Sequence, residues 1–84
     1  MYKEILLDCT MLESPEPLNL VIKNLENVNE KSYIKMIHRM EPMVLYGILN
    51  QNGFKHITQH IENQLQIYIY KDESLEEYIR CIQD

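Results

Sequence analysis

The chain has 84 residues, enough for one domain but not for two cores, and its 45% hydrophobic and 25% charged composition excludes a disordered chain. Eight basic residues stand against 13 acidic ones for a net charge of −5, and the basic residues are scattered singly, so a nucleic-acid partner is not expected. No stretch approaches the ~18 apolar residues of a membrane span, and Lys3 and Glu4 interrupt any apolar leader, so the expectation is a cytoplasmic protein without a membrane partner.

In chain order, residues 3–8 read as a short buried strand around Ile5, Leu6 and Leu7. Ser14-Pro15-Glu16-Pro17 then reads as a helix start. Ser14 is placed as the N-cap, Pro15 falls at the first helical position, and Glu16 puts a carboxylate on the helix's positive end. That helix is expected over 15–27, burying Leu18, Val21, Ile22, Leu25 and Val28, with Asn29-Glu30 as a turn. A second strand follows over 32–38, with Ile34 and Met36 on one face and Tyr33, Lys35 and Ile37 on the other. A second helix starts near Pro42, carries Val44, Leu45, Ile48 and Leu49 inward, and closes at Asn52-Gly53 with Gly53 left-handed.

Two further strands span 54–61 and 65–70. A three-residue connection, Glu62-Asn63-Gln64, puts Ile57, Ile61, Leu65, Ile67 and Ile69 on one face. The other face then carries His56, Thr58 and His60 beside Gln66, Tyr68 and Tyr70. Ser74-x-x-Glu77 reads as a capping box opening a last helix, whose stripe is Leu75, Tyr78, Ile79 and Ile82. A helix this short must pack on something. It either covers the open sheet face or docks on another subunit, giving a weak homodimer through those four side chains.

In an α/β sheet, ligand sites gather at the carboxyl ends of parallel strands. The first strand ends in Asp8-Cys9 and the second in His38-Arg39, so Asp8, Cys9, Ser14, Glu16, His38, Arg39 and Glu41 are expected on one rim. Arg39 is suited either to an anion or to a pair with Glu41 or Asp8. Hydrolysis by Ser14 is disfavoured because the prolines around it remove amides that an oxyanion hole needs. Cys9 and Cys81 show neither zinc spacing nor a Cys-x-x-Cys pair, and a reducing compartment disfavours a disulfide. His56 and His60 lie four residues apart on a strand, ~13 Å, too far for one ion. No metal or cofactor is expected, and the five methionines read as core filler.

The stretch Leu7-Asp8-Cys9-Thr10-Met11-Leu12-Glu13-Ser14-Pro15-Glu16-Pro17 resembles the signature of the TusA/SirA-like sulfur carriers, in which Leu-Asp-x-x-x-Leu-x leads into Cys-Pro-x-Pro. The match covers Leu7, Asp8, Leu12, Pro15 and Pro17, and the family's sulfur-carrying cysteine falls on Ser14. His38-Arg39-Met40-Glu41-Pro42-Met43-Val44-Leu45-Tyr46 is similar to an uncharacterised TusA-related branch, which has a Leu-Asp-Cys start, a Pro-Glu-Pro-Leu helix start and a His-x-Arg-x-Pro motif. Together the two motifs account for most of residues 4 to 71. The resemblance implies an α+β, two-layer α/β sandwich of order βαβαββ, a four-stranded mixed sheet with two helices on one face. The expected division is a TusA-like domain over 1–71 and the helical tail over 72–84.

A persulfide carrier needs a thiolate at a helix N-terminus, and serine cannot hold a persulfide. The expected function is therefore a small non-enzymatic domain that binds a partner protein or a small anionic ligand at the N-terminal end of the first helix. The alternative is a sulfur-relay protein using Cys9 in place of the missing cysteine, the one activity the pattern supports.

Overall fold

The computed structural model describes residues 1–83; Asp84, the last residue of the expected tail, lies outside them. The chain runs β1 (Lys3–Asp8), α1 (Glu16–Asn24), a 3-10 turn (Leu25–Asn27), β2 (Ser32–His38), α2 (Met43–Gln51), β3 (Lys55–Ile61), β4 (Gln64–Tyr70) and α3 (Ser74–Ile82). The strands form one mixed sheet in the order β1-β2-β4-β3. β1 and β2 are parallel, as the α1 crossover requires, and β4 is antiparallel to both β2 and β3.

Register explains the main core. Ile5 pairs with Ile34 and Leu7 with Met36, while Ile34 and Met36 pair with Ile69 and Ile67 across β4. These side chains share a face, and α1 and α2 close over it with Val21, Leu45 and Leu49, all buried. Gly53 ends α2 as expected, at φ 79°. The Phe54 amide donates to the Leu49 carbonyl and the Gly53 amide to the Asn50 carbonyl, a Schellman closure that satisfies the last free carbonyls of α2.

Three helix details depart from the sequence reading. Ser14 is not the N-cap of α1: Pro15 holds that position, and no side chain bonds the cap. The expected inward residues Ile22 and Val44 are exposed, at 41% and 69%, because α1 buries Pro17 and Val21 and α2 buries Leu45 and Leu49. At α3 the Ser74-Glu77 capping box does not form; Asp72 Oδ1 accepts the Ser74 amide at 2.9 Å and the Asp72 carbonyl accepts from Leu75.

The largest correction concerns β3. Ile61 pairs directly with Gln64, so the hairpin has two loop residues, Glu62 and Asn63, with Glu62 at φ 54°. Shortening a connection by one residue turns every side chain of a strand to the other face. His56, Thr58 and His60 therefore pair with Ile69, Ile67 and Leu65 on the helix face, and Ile57 joins Tyr68 on the opposite one.

That opposite face is covered by α3. Leu75 and Ile79 are fully buried against Tyr33, Tyr68 and Tyr70, with Tyr2, Ile57 and Tyr78 around them. Of the two positions expected for the tail, it occupies its own sheet. Leu75 and Ile79 thus have no surface left with which to hold a second subunit, whereas Ile82 keeps 38% exposure.

Candidate functional site

The carboxyl ends of β1 and β2 are adjacent, and each leads toward a helix start. Between the starts of α1 and α2 lies a cleft of about 400 Å3, and Ser14, His38, Arg39 and Glu41 line it. Asp8, Cys9 and Glu16 do not. Asp8 pairs with Ile37 on the α3 side of the sheet, where it accepts from Thr10 Oγ1 at 2.7 Å and the Thr10 amide at 3.0 Å. Those bonds hold its carboxyl below the usual aspartate value, the hydroxyl contributing most.

Cys9 has no accessible surface. Its amide donates to the Ile37 carbonyl at 2.8 Å, which ties the β1 exit to β2, and its thiol points at the Leu7 carbonyl, 3.8 Å away. Burial, and then the Asp8 charge, pushes the thiol pKa up. This is the environment of a small core hydrophobe, the opposite of what an attacking thiolate needs.

Arg39 reaches back across the cleft. Its Nη2 donates to the Leu12 carbonyl at 3.2 Å and lies 3.5 Å from Glu13 Oε2, so its ion-pair partner is Glu13 and neither Glu41 nor Asp8. Burial, then the Arg39 charge, lowers the His38 pKa, against a smaller opposing effect of the Cys9 backbone, so the ring is neutral near pH 7. At α1, Pro15 and Pro17 carry no N–H and the Glu16 amide already donates to the Glu13 carbonyl at 2.8 Å. Little remains there of the amide cradle that makes a helix start an anion site.

The apolar part of the cleft was not foreseen. Leu12, Pro17, Leu18, Met40, Met43 and Val44 line it. Met40 and Met43 are 65% and 67% exposed, and of the five methionines only Met36 is buried in the core. A legible signal existed: Met40 and Met43-Val44 flank Pro42, so the side chains just before and just after the helix start project from the end of the helix rather than from its buried face.

Behind the cleft, α2 meets β3 through a polar strip that follows from the corrected register. The Tyr46 ring stacks on His56 with centroids 4.1 Å apart, and its hydroxyl lies 2.8 Å from Thr58 Oγ1 and 3.3 Å from Glu41 Oε1. Glu41 in turn lies 3.9 Å from His60 Nε2. The strip orients Glu41 at the cleft edge. Among the described residues no group of three or more His, Cys, Asp or Glu is placed to hold a metal, and no helix is long and apolar enough to cross a membrane.

Comparison with protein-family models, with curated proteins and with solved structures finds no match to this chain.

Proposed function

We propose that this chain is a non-enzymatic, cytoplasmic binding domain of the TusA-related kind, and that it takes a partner protein in the cleft between the starts of α1 and α2. One observation carries the reading: a concave site at the carboxyl ends of two parallel strands is lined mainly by apolar side chains, including two exposed methionines. Thioether side chains are flexible and polarisable, and they suit a surface that must adapt to an incoming side chain. The kinship rests on Leu7, Asp8, Leu12, Pro15, Pro17 and the βαβαββ order. A small anion is the weaker form of the proposal, since the prolines and the Glu13 pair occupy what would bind it.

Photo-crosslinking in the host cell tests it. A photoreactive phenylalanine analogue at position 44 should give one discrete adduct band, and the same group at position 77, on the exposed side of α3, should not. An identical pattern from both positions, or no adduct from position 44, ends this reading. The sulfur-relay alternative assigns the carrier role to the Cys9 thiol at the rim, and burial argues against it. Incubation with a cysteine desulfurase and cysteine should leave the intact mass unchanged; a gain of one sulfur atom mapping to Cys9 would install the alternative.

A further inference from the structure

The charge around the cleft constrains what the partner must carry. Glu13, Glu16 and Glu41 stand exposed at the two helix starts, with Glu62 nearby in the β3–β4 turn. Among the described residues Arg39 is the one cation lining the cleft, and it is already engaged by the Leu12 carbonyl and Glu13. Glu41 is held at the lip by Tyr46, so one carboxylate is fixed in place beside the apolar floor. The whole chain carries −5, so the surrounding field has the same sign as the rim.

An acidic or phosphorylated segment would meet Glu41 and the neighbouring Glu62 there, while the charges of Glu13 and Arg39 offset one another. A segment with apolar side chains and flanking Lys or Arg meets complementary partners for both. We infer that the occupant of this cleft is a cationic amphipathic segment of another protein, whose apolar side chains seat on Leu18, Met40, Met43 and Val44 while its basic residues face Glu41 and Glu62. The inference rests on the binding reading above and adds the sign of the partner. Opposite charges at such a rim speed encounter and reject wrong partners more than they add affinity, so the preference is one of selectivity and is sensitive to salt.

The methionines make the test specific to the site. Met40 and Met43 report on the cleft, Met36 on the core, and Met1 on the opposite end of β1. The full chain, isotope-labelled in its methionine methyl groups, is titrated with a model amphipathic peptide of Leu and Lys, and separately with the same pattern built from Leu and Glu. The Leu/Lys peptide should shift the Met40 and Met43 signals and leave Met1 and Met36 in place, the Leu/Glu peptide should shift neither at matched concentration, and the double variant Glu41→Gln, Glu62→Gln should weaken the Leu/Lys effect several-fold. Equal shifts from both peptides overturn the cationic assignment and leave the cleft as a binding site. No shift of Met40 and Met43 with either peptide, or a shift confined to Met1, overturns the cleft reading itself.

Discussion

The two faces of the sheet are built on different principles. The α1/α2 face is aliphatic and continuous across the central strands: Ile34, Met36, Ile67, Ile69, Leu45 and Leu49 have almost no exposure. The α3 face is a cluster of tyrosines, of which Tyr33 and Tyr70 bond carboxylates and Tyr68 the Gln66 amide oxygen. Tyr33 donates to Glu4 at 2.8 Å and Tyr70 to Glu76 at 2.9 Å, while the Tyr2 and Tyr78 rings pack tilted with centroids 4.7 Å apart. Burial and the Glu76 bond push the Tyr70 pKa up to about 12, and burial drives Tyr33 past the normal tyrosine range. The first face is held by elements in the middle of the chain, whereas the second depends on one nine-residue helix near its end. Local opening draws on such weakly tied elements. The α3 face should therefore come apart at lower free energy than the α1/α2 face.

The strongest challenge to that contrast is a matched pair of truncations. Leu49→Ala removes a fully buried side chain under the sheet centre and should lower global stability by about 2–5 kcal/mol. Leu75→Ala empties an equally buried site, but α3 can undock, so its cost is bounded by the docking energy of that helix and should be about 0.5–3 kcal/mol. Denaturant unfolding gives both values, and amide exchange gives their distribution. Leu75→Ala should speed exchange in α3 alone. An equal loss for the two variants in one cooperative transition would make the sheet and α3 a single unit.

Much of this architecture was legible in the sequence because period and punctuation agreed. The alternation in Tyr33–Ile37 and in Leu65–Tyr70 fixed which side of β2 and β4 faces the helices, and Asn52-Gly53 marked the end of α2. β3 was misread for a definite reason. His56-Ile57-Thr58-Gln59-His60-Ile61 is apolar only at Ile57 and Ile61, with Gln59 breaking the alternation, and on an edge strand both faces are half-buried, so the pattern alone does not say which side is core. The hairpin length decides it, and Glu62 in the left-handed region carries no glycine or asparagine signature to announce a two-residue turn. The rim of the site was legible from strand exits and helix starts. Its chemistry was not, because burial of Cys9 and exposure of Met40 and Met43 depend on where the chain turns after each strand.

A smaller effect sharpens the same contrast at single-atom scale. Tyr70→Phe deletes the hydroxyl bonded to Glu76 and should cost about 0.5–1.5 kcal/mol. Tyr46→Phe on the other face deletes the bonds to Thr58 and Glu41 and should cost a similar amount. The two should differ when combined with Leu75→Ala. If α3 is a separable unit, the Tyr70→Phe cost shrinks in that background, while the Tyr46→Phe cost adds unchanged because its partners lie elsewhere. Additivity for both would place the tyrosine cluster inside the global unit.

The smallest expected effect is a pH dependence that differs between the faces. On the α1/α2 face, burial lowers the His38 and His56 pKa values, with Arg39 reinforcing the shift at His38 and Glu41 opposing it at His56. The unfolded chain then holds more protons than the folded one just below the ordinary histidine value of ~6.5, so stability falls as pH falls through that value. His56 Nδ1 is buried without a hydrogen-bond partner, so protonating it leaves an unmet donor beneath Tyr46. On the α3 face the Tyr70 bond, and then Arg80, depresses the Glu76 pKa. That contribution is complete above the ordinary glutamate value of ~4.3 and disappears only as pH drops through the lower folded value. Melting curves between about pH 7.5 and 5.5, bracketing the histidine range, should show a fall in Tm that the double variant His38→Gln, His56→Gln flattens. Over the same window the cost of Tyr70→Phe should stay constant, and it should decline only once the solution is acidic enough to protonate Glu76. A Tm that rises on mild acidification, or a Tyr70→Phe cost that already changes in the histidine window, would contradict the assignment of one titrating set to each face.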